Sequence, residues 1–208
     1  MKWMFLPLFW LLYNSTQAQP RPADYRRLFQ QDPALHKWAA STPHFTPEAF
    51  VFLNATDFGK QSPDTLRGAA ATTYFDTFGK LISYSPDRKQ WLDFYSYQVS
   101  LEKTAGGRYR ATLEADQALR LGKTNDNTHI IIAYMGASTW IEETAWVDNH
   151  TFIAVGVNSA AAFHPFIFIG DTNTRKIYHY SPRDKRLDRS GGYVSYQWAK
   201  MRPMIIEE

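Results

Sequence analysis

The sequence predicts a mainly β protein built from antiparallel sheets, with a short helical segment at its N-terminus. Three observations carry this. Strand-like runs recur roughly every 10–15 residues, with turn residues between them and no helical crossovers. Apolar and polar residues alternate with the period of a strand in several of those runs. The chain also holds 7 Trp, 12 Tyr and 14 Phe, flat side chains that suit half-buried pleated surfaces.

In order along the chain, residues 1–18 read as a secretory signal peptide. Lys2 gives the positive end, Trp3 to Tyr13 the apolar stretch, and Thr16 and Ala18 the small residues before a cut at Gln19. The apolar stretch falls far short of the ~20 residues a membrane span needs. Residues 19–47 are punctuated by Pro20, Pro22, Pro33, Pro43 and Pro47 and form the helical part. Tyr25, Leu28 and Phe29 have helical spacing within Ala23 to Gln31. Asp32-Pro33 reads as an N-cap followed by proline in the first turn, opening a second helix through Leu35 and Trp38. Thr46-Pro47-Glu48 repeats the start signal. This segment is expected to close over the β body as a clasp.

Residues 48–208 form the antiparallel β domain. Trp91 to Leu101 alternates throughout and pairs, across Ala105-Gly106-Gly107, with Arg108 to Glu114. His129 to Met135 is a nearly unbroken apolar run, as for a strand buried on both faces. Trp140 to Val147 and Thr151 to Val157 flank Asp148-Asn149-His150. Phe166 to Ile169 and Lys176 to Tyr180 flank a polar turn, and Tyr193 to Trp198 reads as the last strand.

The net charge of +3 comes from a small imbalance of 23 basic against 20 acidic residues, with no long run of either sign. That argues against nucleic acid as a partner, which needs clustered Lys and Arg among its aromatics. There is no cysteine, so thiol catalysis and thiolate metal sites are excluded. With the signal, this points to a bacterial exported protein, periplasmic or extracellular, without a membrane span once the signal is cut.

Several turns resemble those of β-propeller blades. Tyr84-Ser85-Pro86-Asp87-Arg88-Lys89-Gln90-Trp91 is similar to the strand–turn–strand element of such repeats, and Ala145 to Phe152 to another copy. Gly170 to Tyr178 resembles the outer hairpin. Arg88, His150 and Arg175 stand where glycine is usual. The resemblance covers residues 79–180 and implies blade-like sheets; blades of ~40–45 residues, at least ~4 to a ring, exceed this length, so stacked blade-like sheets or a sandwich fit better. It implies no activity.

Few residues point to chemistry. Asp93 lies between Trp91 and Tyr95 on an apolar face, so it must be paired, hydrogen-bonded, protonated or in a pocket. Adjacent Glu142 and Glu143 should point to opposite sheet faces and cannot form a glycosidase pair with each other; each reads as a solvated glutamate at a strand edge, or one of them could act with Asp93 or Asp148. The histidines lack metal-ligand spacing, although His164 and His179 could meet across strands. No cofactor motif is present. The remaining candidates for a ligand surface are aromatic: Trp140, Trp146, Tyr178, Tyr180, Tyr193, Tyr196 and Trp198. The expectation is a non-catalytic binding or scaffold module for a glycan, peptide or partner protein, able to self-associate through sheet edges. The alternative is a polysaccharide or peptidoglycan hydrolase using Asp93 and Glu143.

Overall fold

The computed structural model describes residues 19–206; the signal-peptide expectation falls on residues 1–18, outside them. The protein is mainly β, with antiparallel sheets that remain open and a short helical segment over residues 22–41. A 3-10 turn (Pro22–Tyr25) leads into α1 (Arg26–Gln31) and α2 (Pro33–Ser41). Asp32 caps α2: its Oδ1 accepts from the amides of Ala34 and Leu35, each at 3.0 Å. β1 (Phe50–Asp57) and β2 (Asp64–Thr65) precede α3 (Gly68–Phe78). Then come β3 (Ser83–Tyr84), β4 (Gln90–Asp93), β5 (Val99–Lys103), β6 (Tyr109–Leu113), β7 (Gln117–Lys123) and β8 (Thr128–Met135). β9 (Thr139–Trp146), β10 (Thr151–Asn158), β11 (His164–Asp171) and β12 (Lys176–Pro182) follow, before α4 (Tyr196–Met201) and β13 (Ile205–Ile206).

Two five-stranded sheets carry the architecture, the first ordered β1-β12-β11-β10-β9 and the second β2-β8-β7-β4-β3. A smaller sheet, β13-β6-β5, adds a parallel pair, β13 with β6. Strand alternation sorts the first sheet's side chains. Ile153, Val155, Ile167 and Ile169 face Phe29, Leu35 and Trp38 of the helical segment. Phe152, Ala154, Phe166, Phe168 and Ile177 face Leu92, Leu119, Leu121 and Met135 of the second sheet. The layers are therefore helices, sheet, sheet, with α3 on the far side of the second sheet. Gly170 makes one inner contact possible, since a Cβ there would lie 2.0 Å from the Phe152 ring opposite it.

Several local expectations need correction. The run from Trp91 to Leu101 is two strands, because Asp93 ends β4 by accepting from the amides of Tyr95 and Ser96 and so turns the chain. β8 is not buried on both faces along its length: His129 is covered beside Trp91, but Ile131 and Tyr134 are exposed. Tyr193 to Trp198 is no strand; Ser195 accepts from the Trp198 amide and starts α4. Helix α3 was not expected either. It crosses the outer face of the second sheet, with Tyr74 and Phe75 against Trp91 at 5.8 and 5.9 Å. The turns that resemble propeller blades are hairpin turns between β3 and β4, β9 and β10, and β11 and β12. Arg88 (φ 57°) and Arg175 (φ 56°) take the left-handed conformation that glycine favours. No helix among the described residues is long and apolar enough to cross a membrane.

Candidate functional site

Among the described residues three carboxylates, Asp93, Glu142 and Glu143, are buried. Asp93 is fully buried. Its Oδ1 accepts from the Tyr95 and Ser96 amides at 2.8 and 3.1 Å. Its Oδ2 accepts from the hydroxyls of Tyr74 and Ser96, with Arg120 Nη1 4.0 Å away. Burial, reinforced by the Asp93 charge, pushes the Tyr74 phenol far above its ordinary range. The carboxylate thus joins a turn, α3 and β7, with both oxygens engaged.

Glu142 and Glu143 depart from the alternation rule. Val155 of β10 pairs with Glu143 and the next residue, Gly156, with Ile141, so Glu142 is the extra residue of a β-bulge. Both carboxylates consequently reach the helix side of the first sheet, and both are buried, contrary to the solvated reading. Glu142 accepts from Trp38 Nε1 at 2.8 Å and from Arg189 Nη2 at 2.6 Å on each oxygen. Its pKa is raised by burial, against the opposing pull of Arg189. Among the described residues no salt bridge engages Glu143, and the Lys37 charge acts on it only weakly. Its Oε1 accepts from the Tyr193 hydroxyl at 2.8 Å and from the Tyr196 amide, while its Oε2 is buried without a partner. Burial lifts Glu143 to about 7, the Tyr196 amide opposing. Tyr193 is raised far above its usual value by burial and the Glu143 charge.

The aromatic candidates are distributed through the molecule. Tyr180 is buried on the helix side, its hydroxyl donating to the Pro20 carbonyl, and Tyr178 packs against the same core. Trp146 lies on the sheet–sheet side, its indole N–H donating to the Ser83 carbonyl at 3.0 Å. Trp140 sits by Phe163 with ring centroids 6.3 Å apart. Tyr196 lies under Lys200 at 4.1 Å, and Trp198 stacks on Tyr95 at 5.9 Å. These side chains do not gather on one face.

Two clefts are better formed. The first, of about 650 Å³, opens where the second sheet leaves the β11–β12–β1 part of the first sheet uncovered. Phe166, Phe168 and Leu53 line it, with His179 stacked on Phe168 at 4.3 Å. Burial lowers the His179 pKa, which favours a neutral ring. His164 and His179 do share this cleft, yet both His164 nitrogens are taken, Nδ1 by Asp188 and Nε2 by the Pro182 carbonyl. Beside it β1 forms the free edge of the sheet. From Phe52 to Asp57 the strand is exposed on both faces, with Phe52 at 44% and Leu53 at 58% exposure. Sequence reasoning did not single out Phe52 and Leu53, because apolar residues at the start of a strand carry no local sign of exposure. The second cleft, of about 600 Å³, lies at the other end of the sheets. Asp93, Glu142 and Glu143 line neither. Among the described residues no three His, Asp or Glu side chains are grouped as metal ligands.

Compared with known proteins, the chain matches no family model, no curated protein and no solved structure.

Proposed function

We propose that the protein is a non-catalytic binding module, acting outside the cytoplasm, that docks an extended polypeptide on the free edge of β1. The observation that carries this is the exposure of β1 on both faces beside an apolar cleft. An edge strand presents unpaired backbone donors and acceptors, and an added strand satisfies them. A partner's apolar side chain fits the cleft over Phe166 and Phe168, while Phe52 packs from the opposite face. Binding is favoured over hydrolysis because Asp93 and Glu142 direct their oxygens to internal donors and Glu143 is closed off from both clefts.

The test is selection of random displayed peptides on the purified chain. Extended peptides with an apolar anchor should be enriched, and Phe52→Asp or Leu53→Asp should weaken them about tenfold or more without loss of fold, since both side chains are exposed. Failure to enrich any peptide, or binding indifferent to both substitutions, overturns the reading.

A further inference from the structure

The second cleft has a chemistry of its own and shares no lining residue with the first. It opens where the loop between β1 and β2 meets the β7–β8 hairpin and the turns of β9–β10 and β11–β12. Phe58, Leu121 and Ile130 give it an apolar floor, and Lys123 and Arg175 stand on its rim. A volume of about 600 Å³ falls in the range of small-molecule sites.

Arg175 is held there by two unusual features. Its backbone is left-handed, at φ 56°, a conformation that costs a non-glycine residue on the order of 1 kcal/mol. Its side chain also crosses Gly59, where a Cβ would meet Arg175 Cδ at 3.2 Å, and its Nη1 donates to the Gly59 carbonyl at 3.3 Å. Strained backbone on one side and a missing side chain on the other thus fix a guanidinium at the cleft mouth. The neighbouring acids are engaged by their own turns, although Asp126 also lines the cleft and, after the Thr128 hydroxyl and amide, the charge of Lys123 contributes to its lowered pKa. Asp57 accepts from the Gly59 amide at 2.6 Å, Asp126 from the Thr128 amide at 3.0 Å, and Asp171 from the Asn173 amide at 2.8 Å. Among the described residues no salt bridge engages Lys123 or Arg175.

We propose that this cleft binds a small polyhydroxylated acid, an acidic monosaccharide, with its acid group on the Lys123–Arg175 rim and its ring on the Phe58–Leu121 floor. Planar, multiply donating guanidinium suits a carboxylate or phosphate, and the carbon face of a sugar ring suits an apolar floor. Gln61 and Asn173 stand at the same cleft to meet the hydroxyls.

Glucuronate, glucose 6-phosphate and neutral glucose provide the probes, read by calorimetry and by the amide resonances of Gly59 and Thr128. Both acids should bind in the millimolar range or better and shift those resonances, and glucose should do neither. Glucuronate alone binding specifies a carboxylate, and glucose 6-phosphate alone a phosphate; either supports the site. Lys123→Gln and Arg175→Gln should each weaken the acids several-fold, and Phe52→Asp should leave them unchanged, which keeps this site distinct from polypeptide docking. Glucose binding as well as the acids, affinities indifferent to both cation substitutions, or no binding by either acid at millimolar concentration overturns the proposal.

Discussion

Asp93 and the Glu142–Glu143 bulge both bury carboxylate in β structure, and they do so by different means. Around Asp93 the chain wraps its own turn about the carboxylate, supplying two amides and the Ser96 hydroxyl, while α3 adds the Tyr74 hydroxyl and a guanidinium stands further off. At the bulge the donors come from distant segments: Trp38 from α2, Arg189 from the chain after β12, and Tyr193 and Tyr196 beyond it. The first arrangement ends a strand. The second ties the helical segment and the C-terminal segment to the edge of the first sheet. Within the bulge, Glu142 is neutralised by a buried guanidinium, whereas Glu143 has one oxygen without a donor. Burial raises the pKa of both glutamates; at Glu142 the Arg189 charge opposes the rise, whereas at Glu143 the opposition comes chiefly from the Tyr196 amide and the Tyr193 hydroxyl.

The largest effect should come from breaking the buried ion pair. Arg189→Met leaves Glu142 uncompensated and should cost about 3–5 kcal/mol in urea unfolding, while adding Glu142→Gln should recover much of it. No recovery in the double variant would mean that Arg189 acts through packing and not through charge.

The next effect is in pH. The unfolded chain loses the Glu143 proton near 4.5, whereas the folded protein keeps it to about 7. The contribution of this group is therefore full below pH 4.5, declines between 4.5 and 7, and is gone above. The total is ~3 kcal/mol at about 1.4 kcal/mol per unit. Glu143→Gln should flatten the decline in a chemical-denaturation series across that window; an identical slope in the variant would remove Glu143 as its source.

Asp93→Asn should cost less, about 1–2 kcal/mol, because the amide oxygen can still accept from Tyr95 and Ser96, the Tyr74 and Ser96 hydroxyls can reorient, and Arg120, 4.0 Å away, keeps its bond to Ser96. A loss as large as that of Arg189→Met would erase the contrast between the two centres. Smallest is the cap of α2: Asp32→Ala should lower the thermal midpoint by the equivalent of ~1 kcal/mol.

Much of the fold could be read in local pattern. Asp32-Pro33 announced α2, and the paired runs around Asp148-Asn149-His150 and the Asp171–Arg175 turn announced the central hairpins, because caps, turns and alternation are encoded by neighbours in sequence. Helix α3 escaped notice: Gly68 to Phe78 carries no N-cap side chain, and its amphipathic side gains meaning only against Trp91. The strand expected over Tyr193 to Trp198 failed for a similar reason. Its aromatics are anchored by Glu143 and Tyr95 from elsewhere in the chain, and Ser195 turns them into a helix start. Asp93 was singled out correctly as a buried acid in need of partners, though Tyr74, which answers that need, lay in the helix that went unseen.

The order of charges, turns and apolar residues along the chain determined by itself that this would be a β protein with helices at the front, since those preferences act over a few residues. Which carboxylates are closed off, which edge is left bare and where cations meet an apolar floor were decided only by tertiary structure. Those outcomes depend on a single extra residue in β9, on how far one sheet extends over another, and on side chains brought together from more than a hundred positions apart.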